Sequence, residues 1–151
     1  MTVIKTKKDK FNIMVEVITD ANQDHRYALK HVWNDKLPLA MVITNWPGST
    51  NALSIDMTTE RIIDHVNRLG FGGVVQVNLF SQTKVTKMAT SSLKNAFDNQ
   101  TIRVIQDQAK STDQIIIATG SLTRTSKVAL KQQQVILAAL TDGGHQDKIQ
   151  I

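Results

Sequence analysis

LAMVITNWPGSTNALSIDMTTERIIDHVNRLGFGGVVQVNLF, Leu39 to Phe80, holds three pieces of different period. Leu39 to Thr44 is a continuous apolar run of the length expected for a strand buried on both faces. Asp56 to Leu69 carries Ile62, Ile63, Val66 and Leu69 at helical spacing, with Asp56 as N-cap, Glu60 near the positive end of the dipole and Gly70 as the stop. After Gly72 and Gly73, Val74 to Phe80 is again apolar and β-branched. Strand, helix and strand in this order predict a right-handed crossover between parallel strands.

Upstream, Phe11 to Thr19 and Tyr27 to Trp33 enclose a polar turn at Asp20 to Asp24, which predicts an antiparallel hairpin. Downstream, Asp98 can cap a helix through Ala109 that buries Ile102, Ile105 and Ala109, and Gln114 to Thr119 is a third apolar strand. A last helix, Thr125 to Leu140, places Val128, Gln132, Val135, Ile136, Ala139 and Leu140 on one face, and Lys148 to Ile151 starts a final strand. Between them Ser81 to Phe97 lacks periodicity and carries Lys84, Lys87 and Lys94, so it reads as a lid or a loose crossover. The fold class is α/β: a three-layer α/β/α sandwich with a mostly parallel central sheet and an N-terminal antiparallel hairpin at its edge.

The 151 residues suit one domain, expected over 11–151 behind a basic, flexible leader at 1–10. Hydrophobic residues at 41% and charged residues at 21% exclude an extensively disordered or fibrous chain. Of the net charge of +5, Lys5, Lys7, Lys8 and Lys10 against Asp9 place +3 in the first ten residues, which leaves +2 for the body. A near-neutral body lacks the basic face of a typical duplex reader. With no cysteine, thiolate metal sites, disulfides and cysteine nucleophiles are excluded. Neither a signal peptide nor a membrane span is read, so the expected setting is cytoplasmic, without membrane contact.

In open α/β sheets sites form beyond the carboxyl ends of the strands, which nominates three segments. The first, Asn45 to Asn51, offers Asn45 as a two-way amide, Pro47 and Gly48 to shape a turn, and Ser49 as a hydroxyl. These groups either satisfy the turn's own backbone or face a ligand. The second contains Asn78, an amide in an apolar strand that must find a partner in neighbouring backbone or in a ligand. The third, Gly120 to Lys127, lacks the second glycine and the Lys-Ser order of a phosphate-binding P-loop. Gly120 and Ser121 there either cap a helix or receive an anion. Asp56 is a cap or a general base. His25, His31, His65 and His145 show no metal-ligand spacing, and no metal or cofactor is indicated.

N-W-P-G-S-T at Asn45 to Thr50, D-x-T-T at Asp56 to Thr59 and L-G-F-G-G-V-V-x-V-N-L-F at Leu69 to Phe80 resemble a bacterial and phage family known as domain of unknown function 1643. The resemblance runs from about Tyr27 to the C-terminus, and Gly72 to Phe80 is its most specific element. The order of segments also resembles, distantly, the sandwich of uracil-DNA glycosylases. That likeness implies a water-positioning loop at Asn45, Pro47 and Ser49 and a base-reading amide at Asn78. The chain departs from it in carrying Asn45 in place of an acid, Thr119 in place of a tryptophan, and no His-Pro-Leu motif before Ile151. The resulting expectation is a domain that binds a nucleobase, nucleotide or nucleic acid at its rim, with hydrolysis degenerate or absent. The alternative is a non-catalytic phage or plasmid accessory protein with a protein partner, and a third is a truncated family member.

Overall fold

The computed structural model describes residues 2–83 and 90–150. Six strands form one sheet: β1 (Met14–Thr19), β2 (Arg26–Val32), β3 (Leu39–Thr44), β4 (Gly73–Asn78), β5 (Gln114–Ile117) and β6 (Ile149–Gln150), in the order β1-β2-β4-β3-β5-β6. The strands β4, β3, β5 and β6 run parallel, β2 joins β4 antiparallel, and β1 closes the hairpin with β2. The expected α/β sandwich is therefore present, and the hairpin lies at the edge beside β4.

Among the described residues four α-helices cover the sheet: α1 (Met57–Arg68), α2 (Asn99–Ala109), a short α3 (Leu122–Thr125) and α4 (Lys127–Asp142). Alternation along β3 and β4 sends Met41, Ile43, Val75 and Val77 to one face, where Ile105 of α2 and Ile136 and Leu140 of α4 complete the larger core. Ala40, Val42 and Val74 point the other way and meet Val66, Ile62 and Ile63 of α1. Because β3 and β4 are covered on both faces, every residue of β4 is buried.

Local chemistry sets the helix starts. Asp56 accepts from the Thr59 amide, and Asp98 forms a capping box with Thr101. The last helix differs from its expected form, because Ser126 interrupts it and its hydroxyl caps α4 at Ala129. The buried face is the expected one in Gln132, Ile136 and Leu140, with Val128 and Ala139 half-buried; Ala129 joins it, and Val135 is exposed instead of buried. Thr90–Asn95 forms a 3₁₀ helix, whereas Lys84 and Lys87 of the expected lid or crossover lie outside the described residues.

His31 on β2 is buried with neither ring nitrogen hydrogen-bonded among the described residues. Burial, and secondarily the charge of Arg26, lowers its pKa, so it is held neutral. The unfolded chain takes up a proton near pH 6.5 that the folded His31 refuses, so stability is full above that pH and falls below it. Urea midpoints should decline from about pH 7 to pH 5.5, and His31→Leu should flatten the decline to the part due to His145, whose pKa is lowered too. An unchanged slope in the variant contradicts this assignment.

Candidate functional site

The carboxyl ends of β3 and β4 and the amino end of antiparallel β2 form one rim. Three backbone pairs hold the corner: Arg26 donates to the Ser81 carbonyl at 2.8 Å, Leu79 to Thr44 at 2.9 Å and Phe80 to Asn45 at 3.0 Å. Past this corner opens a cleft of about 550 Å³, whose walls include Arg26, Asn45, Pro47, Asp56 and Gln76. The first turn of α1, Met57 and Thr58, lines it as well.

The Pro-Gly loop is fastened to the start of α1. Asp56 accepts from the Thr59 amide through Oδ1 at 2.7 Å and from the Ser49 amide through Oδ2 at 3.4 Å. A Cβ on Gly48 would stand 1.6 Å from that Oδ2, so only glycine lets the loop come this close. Burial pushes the Asp56 carboxyl up, but hydrogen bonds from Thr59 and Ser49 and the nearby Arg26 outweigh it and hold the pKa below the usual range. The group is therefore an ionised cap at neutral pH, with both oxygens engaged by backbone donors.

Among the described residues, four polar side chains around the rim keep unused hydrogen-bonding atoms. Arg26 is 2% exposed, and its Nη1 donates to the Ser49 carbonyl at 2.7 Å while Nε has no partner. Asn45 Nδ2 donates to the Thr119 carbonyl at 2.9 Å, and its Oδ1 is unpaired. Gln76 Oε1 accepts from the Thr59 hydroxyl at 3.3 Å, and its Nε2 is unpaired. Asn78 donates through Nδ2 to the Thr44 hydroxyl, which leaves its Oδ1. Turning an amide end for end exchanges donor and acceptor, yet one end still lacks a partner. A buried amide end without a partner costs about 1 to 3 kcal/mol, and three of them with a guanidinium N–H around one rim are more than a packed core tolerates without reason.

Of the residues nominated by sequence, Asn45, Pro47 and Asp56 line the cleft, and Asn78 stands behind its lining residue Thr44. Ser49 contributes its backbone, while its hydroxyl accepts from the Asn51 amide in a local turn. Gly120 and Ser121 are not in the cleft wall. Ser121 makes no capping bond and precedes only the four-residue α3. Arg26 and Gln76 were not nominated. The signal for Gln76 was the same as for Asn78, a polar residue inside VVQVN. A larger hollow of about 730 Å³ between residues 10–14 and 32–35 contains none of the unpaired buried atoms.

Sequence reading also missed a network of His25, Ser81, Asp98 and Tyr27. His25 Nδ1 lies 2.7 Å from Ser81 Oγ, which is 2.8 Å from the Thr101 hydroxyl. Asp98 accepts from the Tyr27 hydroxyl at 2.6 Å and stands 3.8 Å from His25 Nε2. The residue types are those of a hydrolytic triad, but Ser81 is 1% exposed and its hydroxyl is already shared between His25 and Thr101. Its role here is to lock the hairpin to the start of α2.

A family model described as protein of unknown function (DUF1643) matches residues 26–150. The chain belongs to the DUF1643 family. Within this DUF1643 chain, the matched span begins at Arg26 and includes every residue of the cleft wall. No curated protein matches. Among solved structures, brefeldin A esterase, a bacterial homologue of human hormone sensitive lipase, is similar at 13% identity and a TM-score of 0.44. That match covers 99% of this chain and 40% of the esterase, so the DUF1643 chain spans less than half of that protein. Among its described residues no helix is long and apolar enough to cross a membrane, and no group of three or more His, Asp or Glu could hold a metal ion.

Proposed function

We propose that the rim cleft binds a nucleobase or nucleotide, free or within a single strand, and that recognition rather than bond cleavage is its task. The observation that carries the reading is the set of unpaired polar atoms on Arg26, Asn45 and Gln76 around one open cleft, with Asn78 directly behind. A planar ligand edge that alternates donors and acceptors is the kind of group such amides complement. Trp46, 43% exposed at the mouth, adds an aromatic face on which a base can stack. Asp56, occupied as a cap, is poorly placed to act as a general base.

A thermal-shift screen with nucleosides, nucleotides and short oligonucleotides should raise the midpoint for at least one of them, at both low and physiological salt. Gln76→Leu removes an amide whose Nε2 is unpaired in the free protein. Its expected effect is a tenfold or greater loss of affinity, with stability within about 1 kcal/mol of the parent. Full binding in this variant would remove the amide set from the account.

A second reading rests on Leu53, Ile55 and Met57, which are 94%, 53% and 66% exposed on the segment that leads into α1, where Met57 also lines the cleft. Exposed apolar side chains concentrated on one short segment suit a protein contact, as expected of an accessory module. No shift with any nucleoside or nucleotide, together with loss of self-association or partner capture in Leu53→Ser, is the outcome that favours it.

A further inference from the structure

Arg26 is a buried cation that the described residues compensate only in part. Among the described residues its one side-chain hydrogen bond goes to a neutral carbonyl, its Nε is unpaired, and no ion pair within 4 Å includes it. Burial lowers its pKa to about 10, with Asp56 acting in the opposite direction, so the guanidinium is charged at neutral pH. Asp56 is engaged by the Thr59 and Ser49 amides. A guanidinium withdrawn from water is normally received by a carboxylate or phosphate, which its planar fork meets with two parallel hydrogen bonds. Here no such group pairs with it among the described residues, and the side chain lines an open cleft.

We infer that Arg26 receives an oxyanion of the ligand, a phosphate group, so that the cleft prefers a phosphorylated nucleoside to the nucleoside or free base. The inference rests on the reading of the cleft as a base-binding site and adds the second half of the ligand. Asn45 and Gln76 face the base edge, and Arg26, on the β2 side of the cleft, takes the phosphate. The start of α1 contributes positive potential through its dipole, offset by Asp56, so the phosphate's place is on the Arg26 side. The phosphate can belong to a free nucleotide or to the backbone of a single strand; the chemistry at Arg26 is the same.

Calorimetric titration of the full chain with a nucleoside, its 5′-monophosphate, a short single-stranded oligonucleotide and inorganic phosphate separates the possibilities. The 5′-monophosphate should bind about ten- to a hundredfold tighter than the nucleoside. In Arg26→Gln that ratio should fall to about one. Because Arg26→Gln also alters a buried side chain, the Arg26 Nε–H resonance of the unmodified protein is followed as well, and it should move when inorganic phosphate is added. Equal binding of nucleoside and monophosphate with a static Nε–H resonance overturns the inference and leaves the base site standing. A moving resonance with no nucleoside binding supports the anion receptor and overturns the base site. An oligonucleotide that binds tighter than the monophosphate supports the inference and identifies the phosphodiester as the source. No binding of any of the four overturns both.

Discussion

Gly72→Ala is expected to destabilise the protein by about 3 kcal/mol, a fall in thermal midpoint of about 10 °C. The glycine sits where the chain turns from α1 into β4. Its carbonyl accepts from the Trp33 and Asn34 amides at 2.9 and 3.0 Å, and its amide donates to Pro38 at 2.8 Å. The backbone is thus fixed by the start of β3 and the end of β2 together. A Cβ there would stand 1.9 Å from the Asn34 carbonyl oxygen and 2.8 Å from Leu37 Cβ. The first contact is with backbone, which cannot rotate away, so one or more of the three hydrogen bonds must stretch. Thermal unfolding followed by circular dichroism checks the size, and a shift of under 2 °C would mean that the turn relaxes freely.

Asp98→Ala should cost a similar amount, about 3 kcal/mol, for a different reason. The carboxylate caps α2 through the Gln100 and Thr101 amides and receives the Tyr27 hydroxyl. Losing the cap is worth about 1 to 2 kcal/mol, and a buried tyrosine hydroxyl without its acceptor about as much again. Asp98→Asn keeps an oxygen for the cap and should lose roughly half as much. Although burial raises the Asp98 pKa, the Tyr27 hydrogen bond, His25 and the cap amides together hold it below the ordinary carboxylate range. This stabilisation is therefore complete above the unfolded carboxyl pKa and disappears as pH falls through the lower folded value. Parent and Asp98→Ala urea curves should converge in acid; curves that stay parallel down to about pH 2 would show that the charge is not what Asp98 contributes.

The crossover from β3 through α1 to β4 was legible because each piece carries its own period, and Asp56 stands one residue before the helix it caps. Asn78 was conspicuous as an amide in an apolar strand. Arg26 was not, because a charged residue beside a polar turn ordinarily points to water. Its burial arises from β2 pairing with β4 and from the Ser49 carbonyl 23 positions away. The network of His25, Ser81 and Asp98 joins three segments that have no local pattern in common. The face of α4 was legible at Gln132, Ile136 and Leu140, whereas its start was not, because the break at Ser126 depends on its hydroxyl accepting from the Ala129 amide rather than on hydrophobic spacing.

On the proposed reading, the amides of Asn45, just after β3, and Gln76 of β4 meet a ligand in the rim cleft. An NMR titration that follows the side-chain amide signals of Asn45 and Gln76 as a nucleoside 5′-monophosphate is added tests it most directly. The account predicts saturable shifts of both signals at one common affinity, with the amides of exposed asparagines such as Asn12 unmoved. Saturable binding that leaves Asn45 and Gln76 unshifted, or no binding of any nucleotide, would contradict it.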